Sequence, residues 1–415
     1  MIPTVKGMND ILPVEVATWQ MIELIGRKLF ENFGYREIRT PILEKTELFV
    51  RGVGKETDVV RKEMYTFLDK DGESLSLRPE GTASVVRAYI QHNLVNEDPV
   101  TKLYYWGPMF RRERPQKGRL RQFYQFGVEV IGVSDPLVDA ELIFMLDQFY
   151  GLLGVEDLSI RINSLGCKDC RPDFRSALVK YFSSKKESMC PDCHRRLEQN
   201  PLRILDCKVE GCRELAKNSP CSVDTLCDPC RKHFQGVIKG LEFFRVSFEL
   251  DPRIVRGFDY YTRTAFEITS SKLGAQDAVG GGGRYDNLIE ELGGAPTPAI
   301  GYSGGIDRLT LIMPAVEAPG PSLYIVWLGE EAKVEALKNA NKLRLMGINV
   351  EMGYEEKSIK SQMRRSDKLK SKYVLVLGSD ELKKKSGKLK EMASGKEIDV
   401  DLKTIDDLKK ILEEI

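Results

Sequence analysis

Between Leu103 and Val130 the chain concentrates positive charge in a way that asks for an anionic partner. The apolar run Leu103, Tyr104, Tyr105, Trp106 leads into a loop holding Arg111, Arg112, Arg114, Lys117, Arg119 and Arg121, and the chain turns apolar again from Phe123 to Val130. Only Glu113 and Glu129 oppose those cations. The pattern predicts two antiparallel strands joined by a long cationic loop. Guanidinium groups at that density suit a nucleotide triphosphate, a nucleic acid or both. Phe123 offers a flat face on which a base can stack. Four further stretches carry groups suited to such chemistry. Leu75 to Thr82 reads LSLRPEGT, with Glu80, a glycine at Gly81 that admits a ligand close to the backbone, and the Thr82 hydroxyl. Ile254 to Glu267 reads IVRGFDYYTRTAFE, expected as a strand bearing Arg256, Asp259, Tyr260 and Tyr261. Ala278 to Leu288 reads AVGGGGRYDNL, and Ala299 to Ile312 reads AIGYSGGIDRLTLI, a glycine-rich strand entering a helix near Arg308. Apolar residues flank these glycines directly, which favours backbone held against a ligand over a linker.

A second kind of chemistry is confined to residues 167–230. All nine cysteines lie there, as the Cys-x-x-Cys pairs Cys167/Cys170, Cys190/Cys193 and Cys227/Cys230 plus Cys207, Cys212 and Cys221. Two such pairs can supply the four sulfurs that zinc prefers. The alternative is reduced thiols packed as small apolar groups. For a zinc site the expectation joins Cys190 and Cys193 to either Cys167 and Cys170 or Cys227 and Cys230, with Cys207 and Cys212 free to complete a second site.

The chain that positions these groups has 415 residues, enough for two or three domains. Its charged residues nearly cancel, to a net charge of +1, so nucleic-acid affinity has to come from local patches. The N-terminal residues lack the pattern of a signal peptide, and no apolar run approaches a membrane span, so a cytoplasmic protein with reduced cysteines is expected. Apolar residues recur every three or four positions from Pro13 to Phe33, predicting a long helix, and a strand is expected from Tyr35 to Thr40, ending on Pro41. Helices are expected over Ala83–His92, Pro136–Leu153 and Asp173–Phe182, with a strand over Leu158–Asn163. After the cysteine module a strand pattern resumes at Phe243 to Leu250. Pro314 to Ser322 is a linker. Beyond it, strands at Leu323–Leu328, Ile348–Met352 and Tyr373–Leu377 alternate with helices at Glu330–Met346 and Ser358–Leu369, and a last helix begins at Leu402. That alternation implies a separate α/β domain with a mainly parallel sheet. Lys357 to Lys372 holds seven Lys/Arg against one Asp, as a solvated helix face or an RNA contact would.

Phe-Arg-x-Glu, a loop, then Arg-x-Phe resembles motif 2 of the class II aminoacyl-tRNA synthetases, and the helix and strand ending in Pro41 resemble motif 1. The strings LSLRPEGT, FRRERPQKGRLRQFYQFGVE, IVRGFDYYTRTAFE, AVGGGGRYD and GGIDRL, in that order and at those separations, resemble the histidyl-tRNA synthetases in particular. The resemblance spans nearly the whole chain. It implies an α+β catalytic core, an antiparallel sheet with flanking helices, interrupted by a helical insertion and followed by an α/β anticodon-binding domain. The expected boundaries are 1–166 and 236–313 for the core, 167–235 for the insertion and 322–415 for the anticodon domain. It also implies a homodimer that activates L-histidine with ATP and Mg2+ and transfers it to tRNA(His); structural zinc in the insertion is expected from the cysteines alone and goes beyond the resemblance.

The resemblance assigns roles by position. Arg111 and Arg256 take the α-phosphate, with Arg256 standing where other class II enzymes use a metal ion. Glu113 takes the adenine amino group, Phe123 the adenine ring, and Arg119 and Arg308 the outer phosphates. Glu80, Gly81, Thr82 and Gln125 surround the histidine ammonium, and Glu129 with Tyr261, beside Tyr260, grips the imidazole. Gln116 and Arg114 face the tRNA acceptor end. Two other readings compete. One is a catalytically inert paralogue that regulates histidine biosynthesis, which would lack the C-terminal domain and parts of the histidine-specific strings. The other is a zinc-dependent nucleic-acid-binding protein, which would leave the glycine strings unexplained.

Overall fold

The computed structural model describes residues 2–413 apart from 56, 275, 403 and 404. It divides into two compact units, residues 1–316 and 317–415. Among the described residues no helix is long and apolar enough to cross a membrane.

The first unit begins with α1 (Pro13–Asn32), started by Pro13 and by Glu15, whose carboxylate accepts from the Leu12 amide at 3.0 Å. Trp19, Ile22, Gly26 and Phe30 form its buried stripe. The strand expected over 35–40 is only β1 (Arg36–Glu37), because pairing with the neighbouring strand ends as the chain approaches Pro41. There follow β2 (Leu43–Lys45), α2 (Thr46–Gly52), β3 (Thr66–Leu68), β4 (Ser74–Leu77) and α3 (Thr82–Gln91). β2, β4 and β3 make a small antiparallel sheet. The cationic hairpin is β5 (Thr101–Phe110) and β6 (Gln122–Ile131), and α4 (Pro136–Leu152) follows, capped by Asp135, which accepts from the Leu137 amide at 2.8 Å. After β7 (Ser159–Ser164) comes the cysteine module, built from α5 (Arg171–Ser183), α6 (Pro191–Gln199), α7 (Glu210–Lys217) and the start of α8 (Asp228–Phe244).

The strand pattern expected from Phe243 is instead the end of α8, followed by a two-residue β8 (Glu249–Leu250). Phe234, Val237 and Leu241 recur at helical spacing, and Gly236 and Gly240 let α8 approach Pro136 and Ala140 of α4, so packing carries the helix through the expected start of the strand. The core resumes with β9 (Thr262–Thr269), β10 (Ala278–Arg284), α9 (Leu288–Glu291), β11 (Ala299–Gly305) and α10 (Ile306–Leu309). Arg256 to Tyr261 are not in a strand, as expected from the sequence, but in the irregular segment before β9.

The core sheet has eight strands in the order β1-β5-β6-β11-β10-β9-β7-β8, antiparallel except at its two edges. Side chains alternate between its faces. Phe126, Val128 and Val130 of β6 face the helices and pack with Phe30 of α1 and Phe149 of α4. Phe123, Gln125, Gly127 and Glu129 take the other face. This alternation puts the polar residues of the hairpin on one side of a sheet whose other side is closed by aromatic packing.

The second unit contains β12 (Leu323–Trp327), α11 (Glu330–Leu345), β13 (Val350–Met352), α12 (Ile359–Lys368), β14 (Tyr373–Leu377), α13 (Ser379–Lys384), β15 (Ser386–Glu391), β16 (Glu397–Asp401) and α14 (Ile405–Glu413). Its sheet runs β13-β12-β14-β15-β16, parallel among the first three strands and antiparallel in the last two. The β15–β16 hairpin is therefore an addition to the expected parallel sheet. Its strands alternate charged residues, lysines in β15 and carboxylates in β16, with single apolar residues and offer little hydrophobic signal. The final helix begins at Ile405, and residues 403 and 404 of its expected start lie outside the described residues.

Candidate active site and cysteine centres

Glu129 lies at the centre of the polar face. It is fully buried on β6 and opposite Gly301 of β11, where any Cβ would stand 1.7 Å from its carboxylate. The Thr82 hydroxyl donates to one carboxylate oxygen at 2.8 Å and the Tyr285 hydroxyl to the other at 2.6 Å. Burial outweighs these bonds and pushes its pKa up to about 8. Glu80 is buried nearby and accepts from the backbone amides of Thr82 and Ala83 at 2.6 and 2.9 Å, which fixes the start of α3. Burial raises its pKa as well. Gly81 and Gly127 leave room for the Tyr105 ring between them. Gln125 points along the same face with a buried side-chain oxygen that has no protein partner. Tyr260 and Tyr261 are buried, their rings 4.6 Å apart. The phenol bonded to Glu129 is that of Tyr285. Sequence reasoning quoted Tyr285 within its motif without assigning it a role, although its place behind four glycines was a usable signal.

The arginines converge from three elements. Arg111, at the end of β5, donates through Nε to the Pro79 carbonyl at 3.0 Å, and its guanidinium lies 5.2 Å from the Phe123 ring centre. Arg256 is ion-paired with Glu267 of β9 and sits 5.5 Å from the Tyr261 ring centre. It lies flat on Gly281, where a Cβ would meet the guanidinium at 2.2 Å. Arg308 reaches the hairpin loop, donating to the Gly118 carbonyl at 2.9 Å and to the Ala278 carbonyl at 2.5 Å. Burial and the neighbouring Arg119 lower its pKa. Arg119 pairs with Glu113 at 3.1 Å. Arg114 and Gln116 are exposed at the loop tip, where Gln116 and Arg119 exchange backbone hydrogen bonds. Arg284, of the Arg-Tyr-Asp string, points away from this cluster and bonds the buried Asp139 at 2.7 Å, tying β10 to α4.

The chain matches known proteins along nearly its whole length. The histidyl-tRNA synthetase family matches residues 7–309, and the anticodon-binding domain family matches residues 322–414. The chain belongs to the histidyl-tRNA synthetase family. A histidine–tRNA ligase of Desulfatibacillum aliphaticivorans is 50% identical over 410 residues, 98% of either chain. Another, of Geobacter metallireducens, is 51% identical over 401 residues, 96% of this chain and 97% of its own. The apo histidyl-tRNA synthetase of S. aureus has the same fold, with a TM-score of 0.82 at 36% identity, and the match covers 99% of this chain and 100% of that one. The class II core and the anticodon-binding unit expected from the motifs are both present.

The cysteines form two groups of four that could hold a metal ion. Cys167 and Cys170 meet Cys227 and Cys230, while Cys190 and Cys193 meet Cys207 and Cys212. This corrects the expected pairing, in which Cys190 and Cys193 joined one of the other Cys-x-x-Cys pairs. The turn after α6 brings Cys207 and Cys212 back to the start of that helix, while the first and last pairs lie together where the insertion leaves and rejoins the core.

Glu129 generates a test of its own. The folded chain keeps its proton up to a pH of about 8, whereas the unfolded chain releases it in the ordinary carboxylate range. Burying Glu129 therefore costs nothing at low pH and costs more as pH rises between those limits. Relative to the parent, a Glu129→Gln variant should gain in melting temperature by about 5 °C between pH of about 5 and 8. Calorimetric scans across that range measure it, and a difference that does not move with pH would refute the assignment.

Proposed function

We propose that this chain catalyses both steps of histidine–tRNA ligation in the cytoplasm, and that the residues on the open sheet face have separate roles in it. The observation that carries the reading is the buried Glu129 held by Thr82 and Tyr285, next to a face lined by Arg111 and Arg256. In the first step the histidine carboxylate attacks the α-phosphorus of ATP and the bond to the pyrophosphate oxygen breaks. In the second, a ribose hydroxyl at the 3′ end of tRNA(His) attacks the activated carbonyl and AMP leaves. Catalysis of this kind is mostly positioning and neutralisation of developing charge. ATP enters as its magnesium complex, the ion shielding the outer phosphates.

Arg111 and Arg256 take the α-phosphate from two sides. Phe123 stacks on adenine and Glu113 accepts from its amino group. For that, Glu113 has to release Arg119, which then joins Arg308 on the outer phosphates. Glu80, Thr82 and Gln125 hold the ammonium group, and the partnerless oxygen of Gln125 supports this role. Glu129 and Tyr261 grip the imidazole, with Tyr285 orienting the carboxylate. A ligand without a matching donor would leave that carboxylate unpaired, a penalty that in comparable sites amounts to roughly four to five orders of magnitude in discrimination. Gln116 and Arg114, exposed on the hairpin loop, face the acceptor end of tRNA. The cysteine groups fit structural zinc and stand apart from these steps.

Removal of Arg256 tests the chemistry. An Arg256→Ala enzyme should form adenylate about two to three orders of magnitude more slowly, as when one charge-stabilising donor is lost. Transfer from preformed adenylate should change far less. Histidine-dependent pyrophosphate exchange at the parental rate would remove Arg256 from its role.

The second unit is assigned to the anticodon loop, with Lys357, Arg364, Arg365 and Lys368 as its phosphate contacts. A chain ending at Val316 should retain histidine-dependent exchange while aminoacylation of tRNA falls steeply. Equal loss of both activities would make the unit a structural support instead.

The working form is a homodimer. Ile42 and Leu43 at β2, and Phe67 and Leu68 of β3, are exposed apolar side chains on the small sheet beside the helix–strand unit that resembles motif 1. Sedimentation equilibrium should give twice the chain mass, and a Leu68→Glu change should shift the mass toward one chain. A parent that sediments as a monomer at micromolar concentration would contradict the dimer.

A further inference from the structure

Eight of the nine cysteines belong to the two groups, and within each group all four sulfurs lie within 4.8 Å of one another. The separation is 3.8 Å for Cys167 and Cys170, 3.8 Å for Cys167 and Cys227, 3.9 Å for Cys170 and Cys230, and 3.8 Å for Cys190 and Cys207. A disulfide needs about 2.05 Å, so these are not disulfides. Four sulfurs placed tetrahedrally around zinc at about 2.3 Å have edges of about 3.8 Å, which is the spacing found. Thiols that merely fill a core have no reason to meet in fours. Backbone amides also donate to the sulfurs, as anionic ligands require: Cys167 to Cys170 at 3.2 Å, Asp169 to Cys167 at 3.4 Å and Cys190 to Cys212 at 3.3 Å. Cys190 and Cys227 stand at the N-caps of α6 and α8, with Cys193 and Cys230 inside the first turn, where the helix dipole favours thiolate.

The two centres hold different things. The inner one fastens α6 to α7. Just beyond α6, Asn200 and Arg203 both reach Asp259 at 3.2 Å, two residues before Tyr261, while among the described residues the four cysteines of this centre bond none of the side chains assigned to histidine. The centre at the neck sits directly after β7. Gly166 has φ +70° and lies so close to Cys170 that a Cβ would stand 2.6 Å from its sulfur. Leu165 donates to the Arg263 carbonyl at 2.7 Å, and Arg263 donates back to the Gly166 carbonyl at 2.8 Å. Arg171, next to Cys170, donates from its guanidinium to the Tyr261 carbonyl. The neck segment is thus bonded to Tyr261 itself and to Arg263 two residues after it, and Cys167 and Cys170 of that segment meet cysteines sixty residues further along the chain.

We propose that the chain binds two zinc ions, one in each all-cysteine centre, and that the neck centre sets the histidine pocket through Arg171, a positioning residue for Tyr261. The inference rests on the readings above that the cysteine groups hold zinc and that Tyr261 contacts histidine.

The full-length protein, purified without added metal, should contain two zinc ions per chain by elemental analysis. One or none would overturn the two-centre assignment, whatever the activity. Cys227→Ser and Cys212→Ser should each lower the count to one, while Cys221→Ser, which touches neither group, should leave two. Cobalt exchanged into the parent should show the visible bands of tetrahedral thiolate coordination, and octahedral bands would count against the ligand sets. The coupling is read from Arg171→Gln, which keeps every thiol. Histidine affinity by calorimetry should fall about tenfold, as for one lost positioning hydrogen bond. ATP affinity and the count of two zinc ions should not move. Unchanged histidine affinity with two zinc ions bound would overturn the coupling alone. Loss of zinc or of ATP binding in that variant would mean that Arg171 supports the fold generally, and would overturn it too.

Discussion

A carboxylate buried inside a β-sheet is unfavourable on its own, and the first unit is arranged around making Glu129 tolerable. Two hydroxyls donate to it, and the residue across the ladder is glycine, so its oxygens occupy space that any side chain at 301 would fill. These bonds do not fully replace water, which is why its pKa stands at about 8. A group in that condition shares a proton readily with a ligand of similar pKa. Imidazole, which ionises near neutrality, is such a ligand. Under the proposed function, the burial that raises the pKa of Glu129 is also what selects an imidazole.

The same device recurs across the open face. Gly81 and Gly127 accommodate Tyr105, Gly281 accommodates Arg256, and Gly301 accommodates Glu129. Each glycine lets a large functional side chain lie flat against backbone, so the site is carved into the sheet surface and not raised on loops. The opposite face contributes rigidity through aromatic packing and the buried pair of Asp139 and Arg284. Next to that pair, His233 is held neutral, its pKa lowered to about 3 by burial and by the Arg284 charge. With that histidine uncharged, Arg284 is the cation paired with Asp139 among the described residues, and the pair joins β10 to α4.

The parts of this arrangement legible in the sequence were those with a short-range signature. The helix from Pro13, the helix capped by Asp135 and the cationic hairpin announce themselves by apolar period and end residues. The glycine string from Ala299 marked β11 as a strand, while the one from Ala278 was legible only as backbone held against a ligand because its flanks are apolar. Where long-range packing decides, periodicity misled. α8 runs past Phe243 because Gly236 and Gly240 fit it to α4, and Arg256 to Tyr261 leave the strand pattern because Arg171, Arg203 and Asn200 hold that segment from the insertion. Tyr285 could not be linked to Glu129 without the register of three strands, β6, β11 and β10. The grouping of the cysteines depended on which helix ends meet, a question that spacing alone leaves open.

The open face also shows how so many arginines coexist close together. Arg119 is held by Glu113, Arg256 by Glu267, and Arg111 and Arg308 by backbone carbonyls. Unpaired, these charges would repel one another in a partly dry cleft, and each long side chain would sample many rotamers. The stand-in partners limit both effects, so less conformational entropy is lost when phosphates bind. They also set a requirement on the ligand. A single phosphate has too little charge to displace two carboxylates, whereas the triphosphate of ATP can take several arginines at once. Under the proposed roles of these arginines, the pairs that hold them in the free chain favour a nucleotide that carries enough charge to replace them.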